Sequence, residues 1–349
     1  MREQLDQELL KIISALNVLS DSSFCFAGAI LSLNGIDKET GSDPETRPPL
    51  IQHLMRQLYH HCYCRKFDGV FTYLPTAPIP NEEFVDALSA ANTGTERLDR
   101  GWQIIRVLPT GHYIVQKGDF IRSVCEGEFI SDEGHAVALR EGVSLSLFCP
   151  RESRTMHPGF YYVFGSTITD HQDDHDLLRF YWNIKASGAQ NLVRLITSRL
   201  NRFQLPFRLK CINNPETYNR TDSAVLYLNR RFYRIAAELL VEVYQQLQGH
   251  LMPNTPLFSK ELVPGLGFAE EPGNGESFGQ QRCRILAEGI WDAYKLKLAT
   301  EQLRLDHVKK RFKLNGLDLD YPYLNQGSLN QGPPNQGSID RYDFHRFKQ

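Results

Sequence analysis

LLRFYWNIK (177–185), SGAQNLVRLITSRLNRFQ (187–204), LPFRLKCI (205–212) and SAVLYLN (223–229) together decide the fold of this chain. The first piece is rich in aromatic residues and alternates in character, the pattern of a strand. The second places Leu192, Leu195, Ile196, Leu200 and Phe203 on one helical face, with Ser187 as the expected N-cap. The third and fourth are strands separated by the turn-rich NNPETYNRTD (213–222). The unit is therefore strand–helix–strand–strand.

Successive strand side chains point to opposite faces. Arg179, Tyr181 and Asn183 thus share one face, and Phe180, Trp182 and Ile184 form the core face behind them. Arg208 and Lys210 share a face opposite Phe207, Leu209 and Cys211, and Arg220 and Asp222 precede the last strand. If these strands neighbour one another, several donors converge with few acids to neutralise them, which makes an anion site of the phosphate-handling kind. The competing reading of each residue taken singly is a solvated surface cation.

Working outward, the chain reads as α+β, with a mixed or antiparallel sheet core flanked by helices and a mainly helical N-terminal part. Helices are expected over 3–19, 49–66 (after Pro48) and 81–92, giving a helical region 1–98. GWQIIRVLP (101–109), HYIVQKGDFIRSV (112–124), GHAVALREGVSLSLFCP (134–150) and GFYYVFGSTI (159–168) read as short strands, with VLPTGHYIV (107–115) a hairpin. They open a core unit spanning 99–312. Further helices fall at 230–248 and 277–299, joined by a Pro/Gly-rich stretch over 253–276. From 313 to 349, and most clearly in LNQGSLNQGPPNQGS (324–338), the expected state is a flexible NQG-repeat tail.

Net charge is −2 and pI about 6.6, so no whole-chain field favours nucleic acid or an anionic membrane. The N-terminus MREQLDQELLKIISALNVL lacks a signal-peptide pattern, and no run is long enough to span a bilayer. The expected location is cytoplasmic. Seven scattered cysteines suit reduced thiols. His60, His61, Cys62 and Cys64 invite a metal reading but lack a second ligand pair, and HQDDHD (171–176) reads as a solvated loop. Neither a metal nor an organic cofactor is expected. In GNGESFGQQRCR (273–284) a Gly-rich loop runs into a helix, which can offer N–H groups to an anion; Arg282 is a candidate contact, although no nucleotide motif is complete.

RFYWNIK, LPFRLK, RTDSAVLYLN and TPLFSKELVPGLGFAEEPGNGESFGQQRCRILAEGI (255–290) resemble the HopA-type type III effector family, over about residues 150–300. Members of that family also occur as stand-alone proteins in class V lanthipeptide pathways, paired with a kinase-like protein. The resemblance implies phosphate elimination from phosphoserine or phosphothreonine of a peptide or protein substrate, leaving a dehydroamino acid. More distantly the chain is similar to the phosphothreonine lyase effectors, whose core orders a basic-x-His strand, a helix, a strand with a catalytic lysine, and an arginine about ten residues on. Here that order is Arg179-Phe180-Tyr181, the helix, Lys210 and Arg220, with Tyr181 at the lyase histidine position. The resemblance implies Lys210 as the base that removes the α-proton. Arg179, Arg220 and Arg282, with Lys260, would bind the departing phosphate. Tyr181 would donate a proton or orient phosphate, and Asn183 would hold the substrate backbone or the developing enolate. The alternative is a non-catalytic module that binds phosphorylated or acidic protein partners. Neither nucleic acid nor membrane is an expected partner.

Overall fold

The computed structural model describes residues 2–33, 48–73, 79–134, 136–170, 175–328 and 342–348. Helix α1 (Arg2–Ser14) buries Leu9, Ile12 and Ile13 and stops five residues before the expected end. Beyond Ser14 the period changes to two, with Leu16 and Val18 buried between exposed neighbours, so the chain becomes β1 (Leu16–Ser20). Strands β2 (Ser23–Phe26) and β3 (Ala29–Ser32) complete an antiparallel meander, turned at Ala27 and Gly28 with φ of 46° and 86°. Helix α2 (Pro49–Leu58) begins at its proline and continues as a π-helix over Tyr59–Tyr63. Asn81 caps α3 (Glu82–Ala91) by accepting a hydrogen bond from the Phe84 amide at 2.9 Å.

Strands β4 (Arg97–Val107), β5 (Tyr113–Lys117), β6 (Phe120–Val124), β7 (Phe129–Ser131) and β8 (Ser144–Cys149) form a five-stranded antiparallel sheet in the order β6-β5-β4-β8-β7. The expected hairpin is present, with Val107 opposite Tyr113. Residues 136–143 form no strand, contrary to the alternation read there. Trp102, Ile104, Val115 and Leu145 give this sheet a small core of its own. The N-terminal helices, by contrast, share one core with the rest of the chain.

The second sheet has seven strands: β9 (Glu152–Ser153), β10 (Phe160–Phe164), β11 (Leu177–Trp182), β12 (Arg208–Ile212), β13 (Ala224–Asn229), β14 (Lys260–Val263) and β15 (Leu266–Glu270). Their order is β14-β15-β11-β13-β12-β10-β9, antiparallel throughout. Helix α4 (Ala186–Arg202) joins β11 to β12, and β13 inserts between these two strands. Ser187 is not the cap of α4: Lys185 takes the N-cap position, and Ser187 lies in the first turn, 3.4 Å from His250 Nδ1. Helix α5 (Tyr233–Leu247) packs on the Phe180 face, where Tyr233 stacks on Phe180 at 6.3 Å. On the other face Tyr181 meets Tyr63 of the π-helix and Phe278 of α6 (Phe278–Lys295). Ser277 and Gln280 close a capping box at the start of α6, which packs against α7 (Glu301–Leu314).

Much of the expected flexible tail is built into the fold. Tyr323, Leu324, Tyr342 and Phe347 are buried, and Tyr342 and Phe344 lie 4.8 and 5.3 Å from the ring of Phe268. The composition of the NQG stretch hid these aromatic anchors on either side of it; residues 329–341 themselves lie outside the described residues. Glu270, fully buried, accepts hydrogen bonds from the Asn325 amide (2.8 Å), Ser328 Oγ (2.5 Å) and Tyr342 Oη (2.7 Å), and pairs with Arg230 at 3.1 Å. Among the described residues no helix is long and apolar enough to cross a membrane. Because one carboxylate collects donors from three places in the chain, Glu270→Ala is expected to cost about 3 kcal/mol. Thermal denaturation measures the loss, and limited proteolysis should show new cleavage between 325 and 348.

Candidate functional site

The insertion of β13 builds the site. Its register sets Arg179, Tyr227 and Arg208 in one row across β11, β13 and β12, and Tyr181, Val225 and Lys210 in the next. Residues directly opposite in a sheet share a face, so both rows point the same way. The Tyr227 ring lies 5.0 Å from the Arg179 guanidinium, 5.2 Å from that of Arg208 and 5.9 Å from the Lys210 ammonium. Such contacts are attractive because the ring face is electron-rich. Burial alone would raise the pKa of Tyr227, but Arg179 and Lys210, with Arg208, outweigh it and bring the phenol below its ordinary value.

Arg220 reaches the same place from the loop before β13. Lys210 Nζ and the Arg220 guanidinium lie 4.4 and 6.0 Å from the centroid of Phe160. The loop is held by Asn214, whose side chain accepts from the Glu216 amide (2.9 Å), and by Tyr218, which donates to the Ile212 carbonyl (2.7 Å). Thr221 ties it to the end of the π-helix, its amide donating to Cys64 O (2.7 Å) and its hydroxyl to Tyr63 O (2.9 Å). Arg220 is locked to Asp222 by a two-pronged ion pair at 2.8 and 2.9 Å, while Arg179 pairs with Glu271. Burial works against the Asp222 carboxylate, yet Arg220 outweighs it and holds the pKa below the usual range. Neither Arg208 nor Lys210 forms an ion pair among the described residues, so these two carry the available positive charge. His60 of the π-helix stands beside this group. Burial, then the charge of Arg220, pushes its pKa down to about 4, so it is neutral at pH 7.

Residues 151–324, which hold every strand of the large sheet, match the HopA1 effector protein family. Over that segment the chain belongs to this family. An effector protein from Pseudomonas syringae pv. tomato strain DC3000 aligns in structure with 19% identity and a TM-score of 0.44, covering 81% of this chain and 92% of that one. A second, from Pseudomonas syringae pv. syringae strain 61, aligns with 15% identity and a TM-score of 0.41, covering 79% and 96%. The search of curated proteins finds no match.

Within the HopA1-family segment, the expected site residues do not all come together. Arg179, Lys210 and Arg220 share the cationic face. Tyr181 also points to it but is sealed under Tyr63 and Phe278; burial pushes its pKa up to about 12, and its hydroxyl makes no hydrogen bond of ordinary geometry. Asn183 is buried beyond the end of β11, where its side-chain amide donates to Asn254 O at 2.9 Å and its backbone binds Gly265 and Met252. Arg282 is not an open anion contact. It is fully buried and donates to Pro322 O (3.0 Å), Leu324 O (2.8 Å) and Asn325 Oδ1 (3.3 Å), clamping the segment that reading the tail as flexible had discounted. Lys260 is opposite Phe268, hence on the Phe180 face, with its ammonium about 6 Å from the rings of Tyr323 and Phe344.

Tyr227 is not legible as a site residue from the sequence; Arg208 is legible only as one donor on the Lys210 face, and His60 only as part of a metal reading. Alternation in AVLYLN does place Tyr227 two residues from Val225 on one face, but only the pairing identifies that face as the cationic one. A cavity of about 420 Å³ opens beside Arg208 and Tyr227, between the two sheets. The Arg220–Asp222 pair also sets a pH dependence. Because the folded-state pKa of Asp222 is depressed, its contribution is complete above the unfolded value of about 3.9 and is lost as pH falls through the lower folded value. Asp222→Asn is expected to cost about 3 kcal/mol at neutral pH and to flatten the acid limb of the stability curve. Urea titrations between pH 3 and 7 test both effects.

Proposed function

We propose that this HopA1-family chain eliminates phosphate from phosphoserine or phosphothreonine in a peptide or protein, leaving a dehydroamino acid. The observation that carries the reading is the meeting of Lys210 and Arg220 at one aromatic ring, with the Tyr227 ring 5.9 Å from the Lys210 ammonium. In the reaction the Lys210 ammonium first gives a proton to solvent, and the amine so formed takes the α-proton. The Cα–H electron pair becomes the Cα=Cβ bond, and the Cβ–O bond breaks to release inorganic phosphate. Arg208 and Arg220 stabilise the charge that grows on the departing phosphate, and the carboxylate of Asp222 aims the arginine fork. Arg179, held by Glu271, completes the positive field around Tyr227.

The proton on the bridging oxygen is assigned to Tyr227 rather than Tyr181. A phenol made more acidic by three cations is a better donor than one made less acidic by burial under two rings. This answers the absence of a histidine at position 181. The phosphate itself must be installed by a kinase, which fits the kinase-like partner expected for stand-alone relatives. A non-catalytic phosphate-binding module is the second reading, favoured by the carboxylates already paired to Arg179 and Arg220.

Incubation with a phosphoserine peptide, followed by mass spectrometry, separates the readings. Elimination removes the elements of phosphoric acid, hydrolysis removes only the phosphoryl group, and a binding module leaves the peptide unchanged. Lys210→Ala should abolish elimination; full activity in that variant would sink the assignment. Tyr227→Phe should slow turnover by about 10²-fold or more, whereas Tyr181→Phe should leave it within severalfold of the unaltered protein.

A further inference from the structure

The cationic face does not end at Arg208. It opens into the cavity of about 420 Å³ between the large sheet and the five-stranded sheet. Arg208 and Tyr227 form the polar end, and Phe148, Met156, Phe164 and Phe207 supply apolar wall. Phe148 and Met156 keep 47% and 54% of their surface exposed, an apolar rim beside a charged site. The other charged groups here are already engaged: Arg122 donates to Thr169 at 3.0 and 3.1 Å, and Glu128 accepts from the Cys125 amide at 2.9 Å. The volume suits a side chain with its backbone, within the range of ordinary ligand pockets.

We infer that this cavity receives an apolar side chain of the phosphorylated peptide, two residues from the phosphorylated one. The inference rests on the reading of the cationic face as a phosphopeptide site. Its spacing follows from the strand: Arg208 and Lys210 lie on one face of β12, two residues and thus about 7 Å apart, and an extended peptide advances by the same step. With phosphate held over Lys210 and Arg220, a peptide running along β12 toward Arg208 brings its second neighbour to the mouth of the cavity. The occupant is accordingly a leucine-sized or phenylalanine-sized side chain, and the five-stranded sheet is the element that selects it.

The test uses the full chain and two fluorescein-labelled hexapeptides, each with one phosphoserine, carrying leucine or glycine at both positions two residues from it. Binding is read by fluorescence anisotropy and elimination by mass spectrometry. Leucine is expected to tighten binding about tenfold or more through burial of its side chain. Met156→Glu and Phe148→Glu, both at exposed positions, should erase that advantage while the glycine peptide behaves as before, which also controls for folding. If the glycine peptide binds or reacts and leucine gives no advantage, the cavity assignment is overturned and the phosphate site stands. If neither peptide binds or reacts, the phosphopeptide reading itself fails and takes this inference with it.

Discussion

Three cations lie against the ring of one buried tyrosine, and the rest of the site follows from accommodating them. Taking a guanidinium or an ammonium out of water is costly unless its charge is met locally. Here Arg179, Arg208 and Lys210 all lie within 6 Å of the Tyr227 ring, while Glu271 and Asp222 neutralise Arg179 and Arg220. Two carboxylates for four cations leave a local excess of positive charge in a chain whose net charge is −2. The excess lies on Arg208, which lines the inter-sheet cavity, and on Lys210 two residues along the same strand.

The frame around this face is assembled from distant segments. The π-helix supplies Tyr59 and Tyr63, stacked at 5.1 Å, and its last residues accept hydrogen bonds from the Arg220 loop. An i→i+5 helix is a local departure often found at functional sites, and here it sits against the loop that aims Arg220. On the far side, Arg282 and Glu270 hold the returning C-terminal segment. Glu270 ends β15, so the tail braces the end of that strand beside the Arg179–Glu271 pair. The five-stranded sheet, with its own core, stands apart from this brace and covers the remaining side of the cavity.

Periodicity made the central elements legible. LLRFYW, RLKCI and AVLYLN are strands, and the helix between the first two begins and ends within two residues of its expected limits. Reading went wrong where a short local signal competed with a longer one. The helical pattern of α1 extends to residue 19 because Leu16 and Val18 suit either period, and Leu19 suits a helix; the pairing of β1 with β2 decides for a strand. The tail was judged by its NQG repeats, although Tyr323, Tyr342 and Phe347, which bury around them, are the residues that matter energetically.

By itself the sequence determined which residues face alike on each strand: Arg179 with Tyr181, and Arg208 with Lys210, because side-chain alternation is a property of the single strand. It also determined that Phe180, Trp182 and Ile184 form a core face. Only the tertiary structure decided that β13 lies between β11 and β12, which places Tyr227 amid the cations, and that β14 and β15 pair beside β11 in the register that puts Lys260 on the other face. Strand order depends on contacts between residues far apart in the chain, and no local period encodes it. The same holds for Arg282. Its type and position suggested an anion contact, but the carbonyls it binds belong to residues forty and more positions away.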